Sequence, residues 1–138
     1  DLGSGGGLPG IVVAILRKGD EIKDETILIE SDQRKATFLR TCIRTLGLHA
    51  TVVAERIETA APANASLASA RALTNLTDLL PLAPRHLAPR GPCLLLPGAT
   101  LQADIQQPTR AWRFSYAATP SKTNAEAAVL EIRDIARV

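Results

Sequence analysis

Short apolar runs alternate with amphipathic stretches along most of this 138-residue chain. Runs of about four to eight apolar residues are typical of buried strands, whereas apolar positions three and four residues apart are typical of helices. Strands that alternate with helices favour a mostly parallel sheet covered on both faces, so we expect an α/β fold. The predicted strands are Thr26–Glu30, Thr51–Ala54, the weaker Leu67–Ala70, and Cys93–Leu96.

The clearest helix is predicted over Asp32–Leu46. Ser31 or Asp32 can cap its start, because a short polar side chain there accepts hydrogen bonds from the first free backbone N–H groups. Gly47 can end it, since glycine readily adopts the left-handed conformation that closes many helices. The apolar stripe along this helix comprises Leu39, Cys42, Ile43 and Leu46, with Phe38 beside it.

Two further helices are predicted on either side of this central part. The first covers Leu8–Leu16 and is entered through Pro9, which the first turn of a helix tolerates. The other covers Asn75–Leu87, where Pro81 and Pro84 should kink or shorten it. The remaining predictions are loops at Lys18–Glu25 and Ala60–Ser66 and a closing antiparallel hairpin of Trp112–Thr119 with Ala127–Ile135.

The composition is that of one globular domain, which we expect to cover residues 1–138. Apolar residues make up 46% and charged residues 22%, whereas disordered chains are poorer in apolar residues. Aromatic residues reach only 3%, so the core should be aliphatic. No stretch approaches the roughly 18 apolar residues of a membrane span, and no signal peptide is visible. The absence of methionine and the abrupt glycine-rich opening predict a domain that lacks its N-terminal part.

Charge and cysteine usage narrow the class further. The net charge of +2 neither demands nor excludes a nucleic-acid partner, although residues 1–69 carry −1 and residues 70–138 carry +3. Cys42 and Cys93 each lie in an apolar run, so we expect reduced core thiols in a cytoplasmic protein. No histidine offers metal-ligand spacing with them, so no metal site is predicted. The repeated Leu-Ala-Pro-Arg at 82–85 and 87–90 is assigned no function.

A glycine-rich opening and a later acid form the most informative pair. The segment DLGSGGGLPG has Gly3, Gly5 and Gly7 in a G-x-G-x-G pattern, which lets the backbone approach a ligand, although alone it also fits a flexible turn. It lacks the Lys-Ser/Thr of a P-loop. Glu30 ends the next strand, where a carboxylate can bind both ribose hydroxyls or simply cap a helix. Together they indicate an adenosine-bearing ligand, either a dinucleotide or S-adenosylmethionine.

Further charged residues follow the next strands. The segment AERIE, residues 54–58, follows one predicted strand, and Arg71 follows the weak one. In an open α/β sheet the ligand crevice lies beyond the carboxyl ends of the strands, so both can reach a ligand, although either also fits a solvated surface. One flank of the long helix is basic and can face a phosphate backbone or only solvent. Its residues are Arg34, Lys35, Arg40 and Arg44.

Taken in order, the segments DLGSGGGLPG, LIESDQRKATFLR, LGL, AERIE and ARAL resemble the RsmG (GidB) family of bacterial 16S rRNA (7-methylguanosine) methyltransferases. The resemblance covers most of residues 1–73 and is specific, because Leu-Pro-Gly after the glycine loop is unusual among methyltransferases. From residue 74 onward, LAPRGPCLLLPGA and AAVLEIRDI keep only the outline. The resemblance implies a Rossmann-like class I S-adenosylmethionine-dependent methyltransferase fold, truncated before its first strand.

The resemblance also implies an activity and a site. The reaction would move a methyl group from S-adenosylmethionine to N7 of a guanine in small-subunit rRNA, free or in a ribosomal particle. N7 carries a free lone pair and no proton, so no general base is needed, and no catalytic residue is assigned. Arg34 and Lys35 stand at the positions of the family's basic pair. We expect the protein to be a monomer. The implied cofactor contacts are Gly3, Leu8, Glu30, Ile57, Glu58 and Arg71.

Departures from the family pattern leave two alternatives open. Pro97-Gly98 stands where relatives usually have Lys-Gly, and the strand before the glycine loop is reduced to Asp1-Leu2, which should leave neighbouring strand groups without partners. A non-catalytic remnant that binds RNA or a partner would fit these departures. A NAD-dependent oxidoreductase would also fit a glycine loop with a distant acid, but not Leu-Pro-Gly. If methyl transfer occurs, Trp112, Tyr116 or an arginine plane should stack on the target base.

Overall fold

The computed structural model describes residues 1–71, 76–97, 105 and 110–138. The chain divides into two compact units, residues 1–61 and residues 62–138, so one domain over the whole chain stays a prediction. The described helices and strands are α1 Gly10–Gly19, β1 Thr26–Ile29, α2 Gln33–Leu46, β2 Ala50–Val53, β3 Ala68–Arg71, α3 Leu76–Leu79, α4 Ala83–His86, β4 Cys93–Leu96, β5 Trp112–Pro120 and β6 Ala128–Arg137.

The first unit is a β–α–β arrangement with α1 added. β1 and β2 pair in parallel, from Thr26 opposite Ala50 to Ile29 opposite Val53, and α2 connects them. Because both helices carry apolar side chains towards the strands, the core lies between helices and sheet, and each fully buried leucine there contributes roughly 1.5–3 kcal/mol. The core residues are Ile11, Ala14, Leu28, Ala36, Leu39, Leu48 and Val52.

The segment Asp1–Ser4 runs beside β1 at the edge that β2 does not occupy. The Asp1 amino group donates to the carbonyl oxygen of Ile27 (2.6 Å), and the Ile29 N–H donates to the carbonyl oxygen of Asp1 (3.0 Å). The Ser4 N–H then donates to the carbonyl oxygen of Ile29 (3.1 Å). The expectation that β1 lacks partners at this edge is therefore wrong for these three backbone groups, because a short extended segment already satisfies them.

Helix α1 begins at Gly10, two residues later than predicted, and continues to Gly19. The peptide bond between Leu8 and Pro9 is cis, and Pro9 stands before the helix rather than inside it. Lys18, predicted in a loop, lies in the last turn of α1. Its Nζ donates to the carbonyl oxygen of Leu46 at the end of α2 (2.8 Å), where a cation is favourable because helix carbonyl groups are free there.

Helix α2 is capped at both ends by the residues that the sequence offered. Asp32, and not Ser31, is the N-terminal cap, since its Oδ1 accepts from the backbone N–H groups of Arg34 (2.9 Å) and Lys35 (3.0 Å). Gly47 ends the helix in the left-handed conformation, with φ 59° and ψ 46°. Both caps satisfy backbone groups that the helix itself leaves free.

Replacing the cap tests this assignment. The backbone N–H of Lys35, aided by that of Arg34, holds the pKa of the Asp32 carboxyl below its usual value. Asp32→Ala should therefore lower Tm by a few degrees at about pH 7, and Asp32→Asn, which keeps an acceptor, should lower it less. A lowered pKa stabilises the fold only while the carboxylate is charged. The difference in Tm between wild type and Asp32→Ala should therefore shrink at about pH 3. Thermal melts followed by circular dichroism measure this; a deficit that is absent at about pH 7 contradicts the cap.

The buried face of α2 is narrower than the predicted stripe. Ala36 and Leu39 are fully buried, because a small side chain at 36 allows the helix to approach the strands. Phe38 and Leu46 are 52% and 44% exposed, so neither belongs to the core. Cys42 and Ile43 pack at the edge of the core, as part of the predicted stripe.

In the second unit the described strands pair in the order β3-β4-β6-β5. β3 and β4 are parallel, from Ala68 opposite Cys93 to Arg71 opposite Leu96. β6 is antiparallel to both β4 and β5, which confirms the predicted closing hairpin. The sheet therefore joins a parallel pair to an antiparallel one. Its buried apolar residues include Ala68, Ala70, Cys93, Leu95, Leu130 and Ile132.

Two short helices, α3 and α4, stand where one was predicted over 75–87; Asn75 lies outside the described residues. Pro81 falls between them, and Pro84 lies in the first turn of α4, where a missing N–H has no consequence.

Both cysteines are free, and burial raises the pKa of the Cys93 thiol to about 11. Within the described ranges, no helix is long and apolar enough to cross a membrane.

Candidate cofactor-binding site

The glycine loop, residues 3–7, is a closed turn rather than a flexible linker. The Gly7 N–H donates to the carbonyl oxygen of Ser4 (2.8 Å), and the buried Ser4 Oγ donates to the carbonyl oxygen of Asp1 (3.1 Å). Three alternate positions have left-handed backbone, which explains why glycine occupies them. Their φ angles are 65° at Gly3, 54° at Gly5 and 90° at Gly7.

Glu30 connects this loop to the start of α2. Its Oε1 accepts from the Gly5 N–H and its Oε2 from the Asp32 N–H, both at 2.8 Å. Its own N–H donates to the carbonyl oxygen of Val53 (3.0 Å), so the residue also extends the β1–β2 ladder. Two hydrogen bonds hold the side chain and a third holds the backbone, and the residue is only 8% exposed. Each carboxylate oxygen keeps a second lone pair, so Glu30 can accept further hydrogen bonds without releasing the loop.

The Leu-Pro-Gly segment brings α1 against the loop. The Gly10 N–H donates to Asp1 Oδ2 (3.2 Å). A Cβ at position 10 would lie 2.6 Å from that oxygen and 2.8 Å from Leu28 Cδ2, so only glycine permits this approach. Gly6 differs, since a Cβ there would meet nothing within 4 Å. The loop is therefore packed on its Gly7 and Gly10 side and open at Gly6.

The AERIE segment, residues 54–58, turns immediately after β2. Ile57 is buried and Glu58 is exposed. The Ala60 N–H donates to the carbonyl oxygen of Arg56 (2.9 Å), and Arg56 Nη2 lies 3.3 Å from Glu58 Oε1. The backbone N–H of Glu58, followed by the Arg56 guanidinium, holds the pKa of the Glu58 carboxyl below its usual range, so the group is charged at neutral pH. This ion pair is exposed, so it adds little stability. Because the Glu58 side chain is 47% exposed, its carboxylate is accessible to a ligand.

The structure brings some of the predicted site residues together. Gly3 belongs to the loop that Glu30 holds, and Leu8, which is 48% exposed, directly follows that loop. Glu30 lies beside the end of β2, from which the AERIE segment follows. Arg71 is exposed at the end of β3 and belongs to the second unit. Leu73 of the ARAL segment lies outside the described residues. The basic residues of α2 are all exposed: Arg34, Lys35, Arg40 and Arg44.

Sequence reasoning missed two contacts of this site. It assigned Glu30 to a ligand and did not foresee that the carboxylate holds Gly5, 25 residues away. It assigned no role to Asp1, whose Oδ2 holds Gly10. The cluster of glycines in the sequence indicated that the backbone there comes close to other groups, but it did not identify those groups. Among the residues that the structure describes, no group of three or more His, Cys, Asp or Glu could hold a metal ion.

Comparison with known proteins identifies the family. The sequence profile of GidB, described as rRNA small subunit methyltransferase G, matches residues 1–132. The chain belongs to the GidB family. It is 48% identical over all 138 residues to the ribosomal RNA small subunit methyltransferase G of Cereibacter sphaeroides, and 45% identical to that of Ruegeria pomeroyi. The alignments cover 100% of this chain but 66% and 68% of those relatives, so it spans about two thirds of their length.

Solved structures similar to this GidB chain share its fold at low identity. A mutant of MtNAS in complex with S-adenosylmethionine matches with a TM-score of 0.71 at 13% identity, over 96% of this chain and 52% of that one. A putative transferase from Pyrococcus horikoshii matches with a TM-score of 0.72 at 13% identity, over 100% and 56%. The fold is that of class I S-adenosylmethionine-dependent methyltransferases, with α/β architecture and an antiparallel hairpin after the parallel strands.

Proposed function

We propose that this chain carries the cofactor-binding part of an S-adenosylmethionine-dependent methyltransferase that modifies N7 of a guanine in 16S rRNA. One observation supports the cofactor above all others: a nearly buried carboxylate, Glu30, joins a glycine loop with left-handed backbone to the end of a parallel strand. In folds of this type, nucleotide-like ligands bind beyond the carboxyl ends of the strands. The rRNA substrate is supported by the names of the family and of its relatives.

The residues present fit this cofactor. Glu30 retains acceptor capacity for two ribose hydroxyls, and the charged Glu58 with the Ile57 backbone can meet the adenine. Gly3 in the loop and Leu8 directly after it would line the surface on which the cofactor rests. The planar guanidinium of Arg71 suits the carboxylate of the amino-acid part. Each of these six residues is proposed as a contact to the cofactor in its own right.

The chemistry requires positioning rather than proton transfer. Bound S-adenosylmethionine supplies an electrophilic methyl group on a sulfonium, and guanine N7 offers a free lone pair. The protein then has to align the two reactants, an effect worth up to ~7–11 kcal/mol. N7 lies in the deep major groove of A-form RNA, so the target base must be unpaired or displaced.

The basic flank of α2 is the proposed contact to the RNA backbone. Its four cations are exposed, and two of them, Arg34 and Lys35, lie in the first turn after Glu30 and the Asp32 cap. Stacking on the target base is proposed for Tyr116, which is exposed, or for Trp112, which is half-buried. The proposed setting is the cytoplasm, with a monomer acting on rRNA or on a ribosomal particle.

Methyl transfer in vitro tests this function. The chain is incubated with methyl-labelled S-adenosylmethionine and unmodified small-subunit rRNA, and nuclease digestion with mass spectrometry locates the label. We expect 7-methylguanosine. Glu58→Gln should raise KM for the cofactor by about tenfold, since a charged hydrogen-bond acceptor is lost. Glu55→Gln, a charge change at an exposed position in the same turn, is the matched control.

The possible outcomes separate the candidate functions. Label at another atom of the nucleotide would contradict the N7 assignment alone. Equal KM values for wild type and Glu58→Gln would contradict the role of Glu58. Binding of cofactor and rRNA without transfer would identify the chain as a methyltransferase-like binding module.

A further inference from the structure

A separate cavity of about 490 Å³ lies within the second unit. It is bounded by the turn that follows α4 and by the ends of β5 and β6 that meet there. Since Gly91 precedes β4, and Asp134–Ala136 extends past the pairing of Ile132 with Cys93, the cavity lies where β4 begins. Arg71 pairs with Leu96 at the other end of β4, so this amino-end cavity is distinct from the proposed cofactor contacts of the unit.

The lining of the amino-end cavity combines cations with an apolar wall. Arg90 and Arg113 contribute two guanidinium groups, and Leu87 and Ile135 are apolar. The carboxylate that lines the cavity, Asp134, already accepts from Ser115 Oγ (2.9 Å). Guanidinium groups match the geometry of phosphate oxygens, and an apolar wall suits a flat base. A volume of roughly 300–1,000 Å³ is typical of small-ligand sites.

The backbone at two lining positions is unusual. Within the described residues, four non-glycine residues have positive φ, and two of them line this cavity: Arg90 at 65° and Asp134 at 55°. Such conformations persist where the surroundings enforce them, and they concentrate at ligand sites. The turn before β4 enforces the backbone conformation of Arg90, because the Gly91 N–H donates to the carbonyl oxygen of Ala88 (2.9 Å). A Cβ on Gly91 would lie 3.1 Å from that oxygen and from Leu87 Cδ2, so the turn is compact.

We propose that the amino-end cavity binds one nucleotide of a single-stranded RNA, with Arg90 and Arg113 on its phosphate and Leu87 against its base. The ligand chemistry, a phosphate beside a flat apolar group, follows from the lining alone. The choice of RNA over a free nucleotide rests on the proposed function. The second copy of Leu-Ala-Pro-Arg, residues 87–90, thus supplies both the wall and one cation of a site. RNA held here would be a contact separate from the target base.

Arginine variants of the full 138-residue chain test this site. Fluorescence anisotropy with a labelled single-stranded RNA of about ten nucleotides compares wild type, Arg90→Asn, Arg113→Gln and the double variant. Asparagine tolerates left-handed backbone, so Arg90→Asn should preserve the turn. Each single variant should weaken binding about three- to tenfold and reduce the slope of log K against log salt by about one. Arg137→Gln, a charge removal at an exposed position of β6 outside the lining, should change affinity by less than about twofold.

Competition with adenosine monophosphate identifies the ligand. Displacement of the RNA by the nucleotide in wild type, combined with weaker RNA binding by the double variant, supports the proposal. Unchanged RNA affinity of the folded double variant overturns it, even if the free nucleotide binds through the arginines. Titration with S-adenosylmethionine should give the same affinity for wild type and double variant. If the wild type fails to transfer methyl groups while RNA affinity still depends on both arginines, the proposed function fails and the cavity assignment stands.

Discussion

Glu30→Ala should abolish measurable binding of S-adenosylmethionine and destabilise the first unit at the same time. The carboxylate accepts from the Gly5 and Asp32 N–H groups, and each of these loses its partner in the variant. A fully buried donor without a partner costs about 1–3 kcal/mol, and both hydrogen bonds here are part-buried, so the free energy of unfolding should fall by roughly 1–4 kcal/mol. Two ribose hydroxyls would lose a charged acceptor worth about 1.5–3 kcal/mol each, which corresponds to an affinity loss of at least about a hundredfold.

Glu30→Gln separates the two effects. Its single carbonyl oxygen can satisfy one of the two N–H groups, while its NH₂ group faces the other donor. The stability loss should therefore be smaller than in Glu30→Ala, although cofactor affinity should still fall by more than about tenfold, because neither ribose hydroxyl meets a carboxylate. Glu126→Gln, an exposed change in the second unit, serves as the control. Isothermal titration and urea unfolding supply the measurements; wild-type affinity in both Glu30 variants would refute the role of this residue.

The part of the site that sequence predicted depends on backbone position, and the part that it missed depends on tertiary contacts. Glycines at alternate positions indicated a loop whose backbone can approach a ligand, and Glu30 could be placed at the end of a strand because Thr26–Ile29 is a short apolar run. The bond between Glu30 and Gly5 joins residues 25 positions apart. No local pattern encodes such a contact, because it exists only once Asp1–Ser4 has paired with β1.

Helix α1 shows where periodicity fails. It is apolar around most of its circumference, so the pattern could not select the buried face. The structure buries Ile11 and Ala14 and leaves Ile15 and Leu16 exposed, Leu16 by 61%. The prediction also began the helix at Leu8, because local rules allow proline in a first turn, whereas the helix of the structure begins at Gly10, after Pro9. The prediction that proline would shorten the helix over 75–87 is confirmed at Pro81, which falls between α3 and α4, since proline acts on its own backbone.

Gly7→Ala should cause a larger stability loss than the same methyl addition at Gly5 or Gly6. Gly7 has φ 90°, and a Cβ there would lie 2.6 Å from Ile11 Cγ1 and 3.1 Å from Leu39 Cδ2. Left-handed backbone costs an L-residue about 1–2 kcal/mol, and overpacking adds about 1–3 kcal/mol. We expect the free energy of unfolding to fall by roughly 2–5 kcal/mol, with a Tm lower by about 10 °C.

Gly6→Ala is the matched control for this change, because its Cβ would meet nothing within 4 Å. It adds the same methyl group to the adjacent position and should leave stability within about 0.5 kcal/mol of wild type. Thermal and urea unfolding of the two variants make the comparison, and equal losses would show that the loop tolerates no side chain anywhere. A Gly6→Ala protein that keeps its stability but loses affinity for S-adenosylmethionine would place the cofactor against the open side of the loop. The pair thus distinguishes a glycine required for packing from a glycine required for binding.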